Sequence, residues 1–260
     1  MIRMSKKIKV GIDINEILRA RWLQFDRYFT QEFGEEEIPE QPYVYDLFKE
    51  YPWKEGLEVT KDLKEPDDMP EDINPLDYQV DKESGEAPAD FAIFKLPTKE
   101  VLTPKEVYNR FMYQDFVFEL HGSAPIMYRN MDLHVKNFYE KYKDTVEFVI
   151  ISKENQLSIP STLFFLSKMT SRFGNYRFCE DNMEMIDGLD VIITTDPDLL
   201  EYLRTDNYYD LPVPVDKKVV KLTRPYNENT QKGDITPVLQ LNDLIENEEF
   251  EKLINYIKPQ

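Results

Sequence analysis

Apolar residues fall into two alternating rhythms along this chain. Residues 8–12 form a short, mostly apolar run that reads as a buried strand ending on Asp13. Leu18, Trp22, Phe25, Phe29 and Phe33 then recur every three or four positions, which is one face of a helix. Thr103-Pro104 followed by Glu106 has the order of an N-cap, a first-turn proline and a first-turn acid, so a helix is predicted to begin there. Met127, Met131, Val135, Phe138 and Tyr142 mark another amphipathic helix, and 146–151 the next buried strand, ending at Ser152. Leu163, Leu166, Met169 and Phe173 predict a further helix face, with Gly174 just past the helix end. Strands at 176–179, 190–193 and 218–222, and a helix carrying Phe250, Leu253, Ile254 and Ile257, complete the pattern. Short apolar strands alternating with amphipathic helices predict an α/β fold: a Rossmann-like, mainly parallel sheet with helices on both faces.

One interval breaks the rhythm. Residues 35–90 hold 19 Asp or Glu against 5 Lys, most of the chain's net charge of −18. Seven prolines in the same interval exclude long helices and confine strands to edges. That is the composition of a solvated linker, yet Tyr43, Tyr45, Leu47, Phe48, Tyr51 and Trp53 interrupt it with aromatic and apolar anchors. The expected organisation is a core of residues 1–34 and 101–260, with an acidic, proline-rich insert at 35–100. Tyr43, Tyr45, Phe48, Tyr51 and Trp53 are the residues expected to dock this arm on a protein partner.

Composition narrows the function. No apolar run approaches the ~18 residues of a membrane span, and the basic start lacks the apolar stretch of a signal peptide. The single cysteine, Cys179, excludes a disulfide framework and fits a reducing compartment. Fifty acidic residues against 32 basic disfavour nonspecific nucleic-acid binding, which depends on Lys and Arg. Eight glycines and no glycine-rich loop argue against a phosphate cradle of that kind.

In sheets of this kind ligands bind beyond the carboxyl ends of the strands. Asp13, Ser152 and Thr194 occupy three such ends. Asp13 reads equally well as an acid capping the following helix. His121, before Gly122 and Ser123, reads as part of a turn, His134 as structural and Cys179 as a small buried apolar group.

The order of acid, hydroxyl and polar strand end, together with Val10-Gly11-Ile12-Asp13-Ile14-Asn15, Ile150-Ile151-Ser152 and Val191-Ile192-Ile193-Thr194-Thr195-Asp196-Pro197, resembles the haloacid dehalogenase-like superfamily, in particular its deoxyribonucleotidase branch. The likeness covers roughly residues 8–30 and 126–257, with the acidic segment in the place of a cap insertion. It implies a nucleophile at Asp13, but Asn15 stands at the position of the second, acid/base Asp. An amide cannot shuttle a proton, and loss of a general acid removes about 10²–10⁴-fold in rate. Thr194 and Thr195 stand where two acids would hold Mg²⁺, a cation that prefers charged oxygen ligands. The stretch Asp181-Asn182-Met183-Glu184-Met185, where a lysine is expected, has no basic residue. Val219-Val220-Lys221-Leu222-Thr223-Arg224-Pro225-Tyr226-Asn227 resembles a framework segment of the same branch.

The resemblance therefore implies a pseudoenzyme without cofactor, serving as a structural or assembly subunit with protein partners and as a homo-oligomer. The composition, rich in Tyr, Asn and Asp and poor in Gly, is similar to virion proteins of crAss-like tailed phages, some of which build tail-barrel rings. That likeness implies a virion or host-cytoplasm location. The alternative is an active Mg²⁺-dependent phosphohydrolase of nucleoside monophosphates, with Asp13 as nucleophile and Asp196 or Asp198 supplying the lost metal ligand. A third possibility is a module that binds a nucleotide without turning it over.

Overall fold

Five of the apolar runs assemble into one all-parallel sheet. The computed structural model describes residues 6–34, 47–53, 58–60, 99–169, 173–204, 217–230, 233–235 and 238–257. The chain forms two compact units, Met1–Pro52 with Asn109–Gln260, and Trp53–Tyr108.

In the first unit, β1 (Ile8–Asp13) leads into α1 (Arg21–Phe33), and a short α2 (Leu47–Glu50) follows. The second unit contains β2 (Glu58–Thr60) and β3 (Lys99–Val101), an antiparallel pair with Glu58 opposite Val101. There Trp53 packs edge-on against Tyr108, with ring centres 5.1 Å apart. The helix expected at Thr103 begins as the sequence predicts. In α3 (Pro104–Arg110) the Thr103 backbone N–H donates to Glu106 Oε2 at 2.8 Å, while the Glu106 N–H donates to Thr103 Oγ1 at 3.4 Å. This reciprocal cap satisfies donors that a helix start leaves open.

Two π-turns, Phe111–Asp115 and Phe118–Gly122, continue the chain. Next come α4 (Met131–Tyr142), β4 (Val146–Lys153), α5 (Ile159–Lys168), β5 (Asn175–Cys179), α6 (Asn182–Ile186), β6 (Val191–Thr194), α7 (Pro197–Arg204), β7 (Lys218–Lys221) and α8 (Glu248–Ile257).

The strand order is β5-β4-β1-β6-β7, with every pairing parallel. This is the order of a doubly wound, Rossmann-like sheet, and it reverses between β1 and β6. Alternation along the strands builds a core on each face. Val10, Ile12, Phe148, Ile150 and Ile193 pack with α4, α5 and α8 residues such as Phe138, Phe165 and Phe250. Val149, Ile151, Ile192 and Val219 pack on the opposite face with Met185 of α6 and Leu199 of α7. Gly11 in β1 leaves room for its neighbours, because a Cβ there would lie 2.5 Å from Leu189 Cδ1 and that side chain would have to shift.

Four expectations need correction. The first helix starts at Arg21, not near Leu18, because residues 14–19 close a tight turn in which the Leu18 N–H bonds to Ile14 O at 3.0 Å. The helix predicted through Phe173, α5, ends at Lys168, and Gly174 lacks the positive φ of a C′ glycine. Its buried stripe runs through Ser161, Thr162, Phe165 and Leu166, so Leu163, placed in the core by spacing, is exposed. Cys179 at the end of β5 is half-buried rather than enclosed.

Candidate functional site

The reversal of strand order places the carboxyl ends of β1 and β6 side by side, where a doubly wound sheet forms its ligand crevice. Asp13, at the end of β1, is buried. Its Oδ2 accepts a hydrogen bond from Thr194 Oγ1 at 2.9 Å, and its Oδ1 accepts the Asn15 backbone N–H at 3.3 Å. Burial, followed by the nearby charge of Asp196, pushes the Asp13 carboxyl up to about 7.

Thr195, fully buried, directs its hydroxyl to Asn15 O at 3.1 Å. Asp196 caps α7: its Oδ1 accepts the N–H groups of Asp198 and Leu199 at 2.8 and 3.1 Å. Its Oδ2 faces Lys153 Nζ at 3.2 Å. Lys153 lies one residue after Ser152 and brings a positive charge to Asp196. Asp198 is exposed on the first turn of α7. The stretch from Asp181 to Met185 is a capped helix start, with the Asp181 side chain accepting the N–H of Met183 and Glu184.

A second group of polar residues, which sequence reasoning missed, locks Asn15 and Ser152. Arg19 is fully buried and every one of its donors is engaged. Nε and Nη2 donate to Asn15 Oδ1 at 3.2 and 2.6 Å, Nη1 to His121 O at 3.0 Å and Thr162 Oγ1 at 2.8 Å, and Nη2 also to Glu154 Oε1 at 2.6 Å. The Asn15 amide in turn donates to Ser152 Oγ at 3.3 Å, and Ser152 donates to Glu154 Oε1 at 3.2 Å. Ser158 Oγ donates to Glu154 Oε2 at 2.5 Å, and His121 Nδ1 stands 3.3 Å from the same oxygen.

Burial alone would raise the Glu154 carboxyl. Arg19, His121 and the bond from Ser158 outweigh it and hold Glu154 well below the ordinary range. Burial lowers the His121 imidazole. His121, expected in a turn, lies in the second π-turn, and its ring is enclosed.

A third device fixes the loop after β1. Glu16 has a φ of 58°, unusual for a residue with a side chain. Arg224 Nε and Nη2 hold its carbonyl at 3.1 and 2.6 Å. Asn227, in the Pro225–Asn227 turn, donates to Thr195 O at 2.8 Å and Leu222 O at 3.0 Å, tying this segment to the end of β6.

The sequence-selected residues Asp13, Asn15, Ser152, Thr194, Thr195 and Asp196 are thus brought together, all buried. No protein-family model matches the chain, and no curated protein matches it either.

The donor set does not fit Mg²⁺, which the alternative activity requires. Among the described residues no group of three His, Cys, Asp or Glu is arranged to hold a metal ion. Around Asp13, the neighbouring oxygens are threonine hydroxyls already engaged, and Asp196 is engaged with backbone N–H groups and Lys153. An octahedral site needs several free hard oxygens at about 2.1 Å, and Asp13 supplies one carboxylate.

The residues assigned to the arm are placed separately. Tyr51, in the first unit, is buried against Phe25 and Phe29, with ring centres at 4.5 and 4.8 Å, and its hydroxyl donates to Asp26 Oδ1. Phe48 is half-buried in α2, and Trp53 packs on Tyr108. Tyr43 and Tyr45 lie outside the described residues.

Proposed function

We propose that this chain is a catalytically inactive haloacid dehalogenase-like domain acting as a structural subunit of a larger assembly, in keeping with a phage virion component, with the acidic 35–100 insert as its contact arm. The observation that carries the reading is the Asn15 lock. The residue at the acid/base position is an amide whose oxygen accepts from Arg19 and whose nitrogen donates to Ser152, inside a buried Arg19–Glu154 pair. A general acid must reach the leaving group and exchange its proton. Asn15 has no ionisable proton, and both ends of its amide are engaged.

Two further features support the same reading. Thr194 bonds directly to Asp13, and the surrounding oxygens do not suit Mg²⁺. The residues at the crevice are occupied with one another rather than offered to a ligand, while the fold around them keeps its packing on both faces of the sheet.

The phosphohydrolase reading has one observation in its favour, the Lys153 ammonium, paired with Asp196, whose charge acts on the Asp13 carboxyl and favours its ionised form. The test is turnover of an aryl phosphate and of nucleoside monophosphates with added Mg²⁺, by the whole chain and by Asp13→Asn. The expected result is no difference between them. Turnover that vanishes in Asp13→Asn overturns the proposal.

A further inference from the structure

Glu16, in the turn between β1 and α1, carries three costs at once. Its φ of 58° is a left-handed conformation that residues with a side chain rarely adopt. The residue is enclosed, 3% exposed. One carboxyl oxygen, Oε1, accepts the Trp22 N–H at 3.3 Å, while Oε2 meets no hydrogen-bond donor among the described residues. A buried acceptor without a partner is destabilising, and local strain collects at segments that change state.

The carboxyl stands where α1 needs an acceptor. Ala20, the N-cap residue, offers no side-chain bond, and the first turn of α1 carries no acid. Glu16 supplies that bond from outside the helix. Its backbone is held separately: the N–H donates to Arg19 O at 2.8 Å, and the carbonyl accepts from Arg224. The side chain can leave without breaking these bonds.

Among the described residues, the charged and titratable groups acting on Glu16 are Arg21 of α1, Arg19 of its own turn, and Arg224 with the Tyr226 phenol after β7. Asp13, at the end of β1, acts on the same phenol. Arg19 directs its hydrogen bonds to Asn15, Glu154, Thr162 and His121 O, and Arg224 directs its own to the carbonyls of Glu16, Thr223 and Leu239. Both therefore act on the carboxyl through charge alone. Burial outweighs the arginines and the Trp22 bond, and pushes the carboxyl up to about 7.

We propose that the β1–α1 junction is a pH-sensitive latch: protonated Glu16 stays packed under the start of α1, and on losing its proton the side chain moves out to solvent and residues 14–24 open locally. The latch lies three residues beyond Asp13 and at the foot of α1, the helix whose Phe25 and Phe29 pack on Tyr51. It does not depend on the assembly reading.

The closed form binds the proton more tightly than the open one, where the carboxyl returns towards the ordinary 4.5. Closure is therefore fully favoured below that value, loses ground as pH rises, and levels off above about pH 7. From about pH 6 to about pH 8 these two values shift the opening equilibrium about tenfold.

The test is amide hydrogen exchange of the whole chain, corrected for the intrinsic pH dependence of exchange, for wild type, Glu16→Gln and Asp13→Asn. Circular dichroism and Tm check folding, and Glu16→Ala replaces Glu16→Gln if that variant does not fold. In the wild type, protection of residues 14–24 is expected to fall about tenfold over that interval. The fall is expected to vanish in the Glu16 variant and to remain in Asp13→Asn. Because the opening is local, residues 14–24 are expected to exchange faster than β4 at the higher pH. Protection independent of pH in the wild type overturns the latch, as does a fall that persists in the Glu16 variant. Equal rates in 14–24 and β4 mean unfolding of the whole unit and overturn it too.

Discussion

Thr194 Oγ1 donates to Asp13 Oδ2 at 2.9 Å, joining the ends of two neighbouring parallel strands. The bond crosses the switch point of the sheet, and both residues are buried. A hydrogen bond to a buried charged group contributes about 1.5–3 kcal/mol. Thr194→Val keeps the shape, removes the donor and leaves the carboxyl with only the Asn15 N–H. Urea unfolding above about pH 8, where Asp13 is ionised in both states, is expected to show a loss of this size, with a smaller loss below pH 3.8, where it is protonated in both.

Asp13 also makes stability fall as pH rises. Its folded value of about 7 lies above the ordinary 3.8, so the native state binds more protons than the unfolded chain between those limits. The resulting cost is absent below pH 3.8, grows through the interval by up to about 1.4 kcal/mol per pH unit, and levels off above about pH 7. Asp13→Asn removes it. The variant is expected to gain on the wild type between pH 4 and pH 7 in paired denaturation curves and to hold a constant lead above pH 8. A gap independent of pH would show that the Asp13 carboxyl is not raised.

Breaking the Arg19–Glu154 pair has the opposite sign. Both groups are enclosed, 2.6 Å apart, and removing one partner from a buried pair costs about 3–5 kcal/mol because the other charge remains. Arg19→Met and Glu154→Leu are each expected to fall in that range. Together they are expected to cost less than the sum, with a coupling energy measurable in a double-mutant cycle. Additive losses would mean that the two groups act independently.

Tyr51 closes an aromatic cluster with Phe25 and Phe29 in the first unit. Tyr51→Ala is expected to cost about 3–5 kcal/mol in thermal or denaturant unfolding. Tyr51→Phe loses only the hydrogen bond to Asp26 and is expected to cost about 1 kcal/mol. The contrast separates packing from the polar contact.

Much of the fold was legible in the sequence because periodicity is local. The runs at 8–12, 146–151 and 218–222 are strands within a residue or two of their predicted ends, and the Thr103–Glu106 cap lies where its spacing placed it. Asp13, Ser152 and Thr194 were also legible, since each sits at the end of an apolar run. Leu163 was misplaced because α5 is apolar on both sides and spacing cannot say which side faces the sheet. Small polar residues, Ser161 and Thr162, took the inner face instead.

The sequence by itself determined which segments become strands and helices, their order, and which polar side chains end the strands. These follow from the steps of two and three to four residues by which side chains share a face. Only the tertiary structure decided that Arg19 meets Glu154, 135 positions away, that Lys153 faces Asp196, and that Arg224 holds the Glu16 carbonyl. Such pairs depend on strand order and parallel register, which bring distant residues together at one end of the sheet. Their strength depends on burial, which removes the water that would otherwise screen the charges.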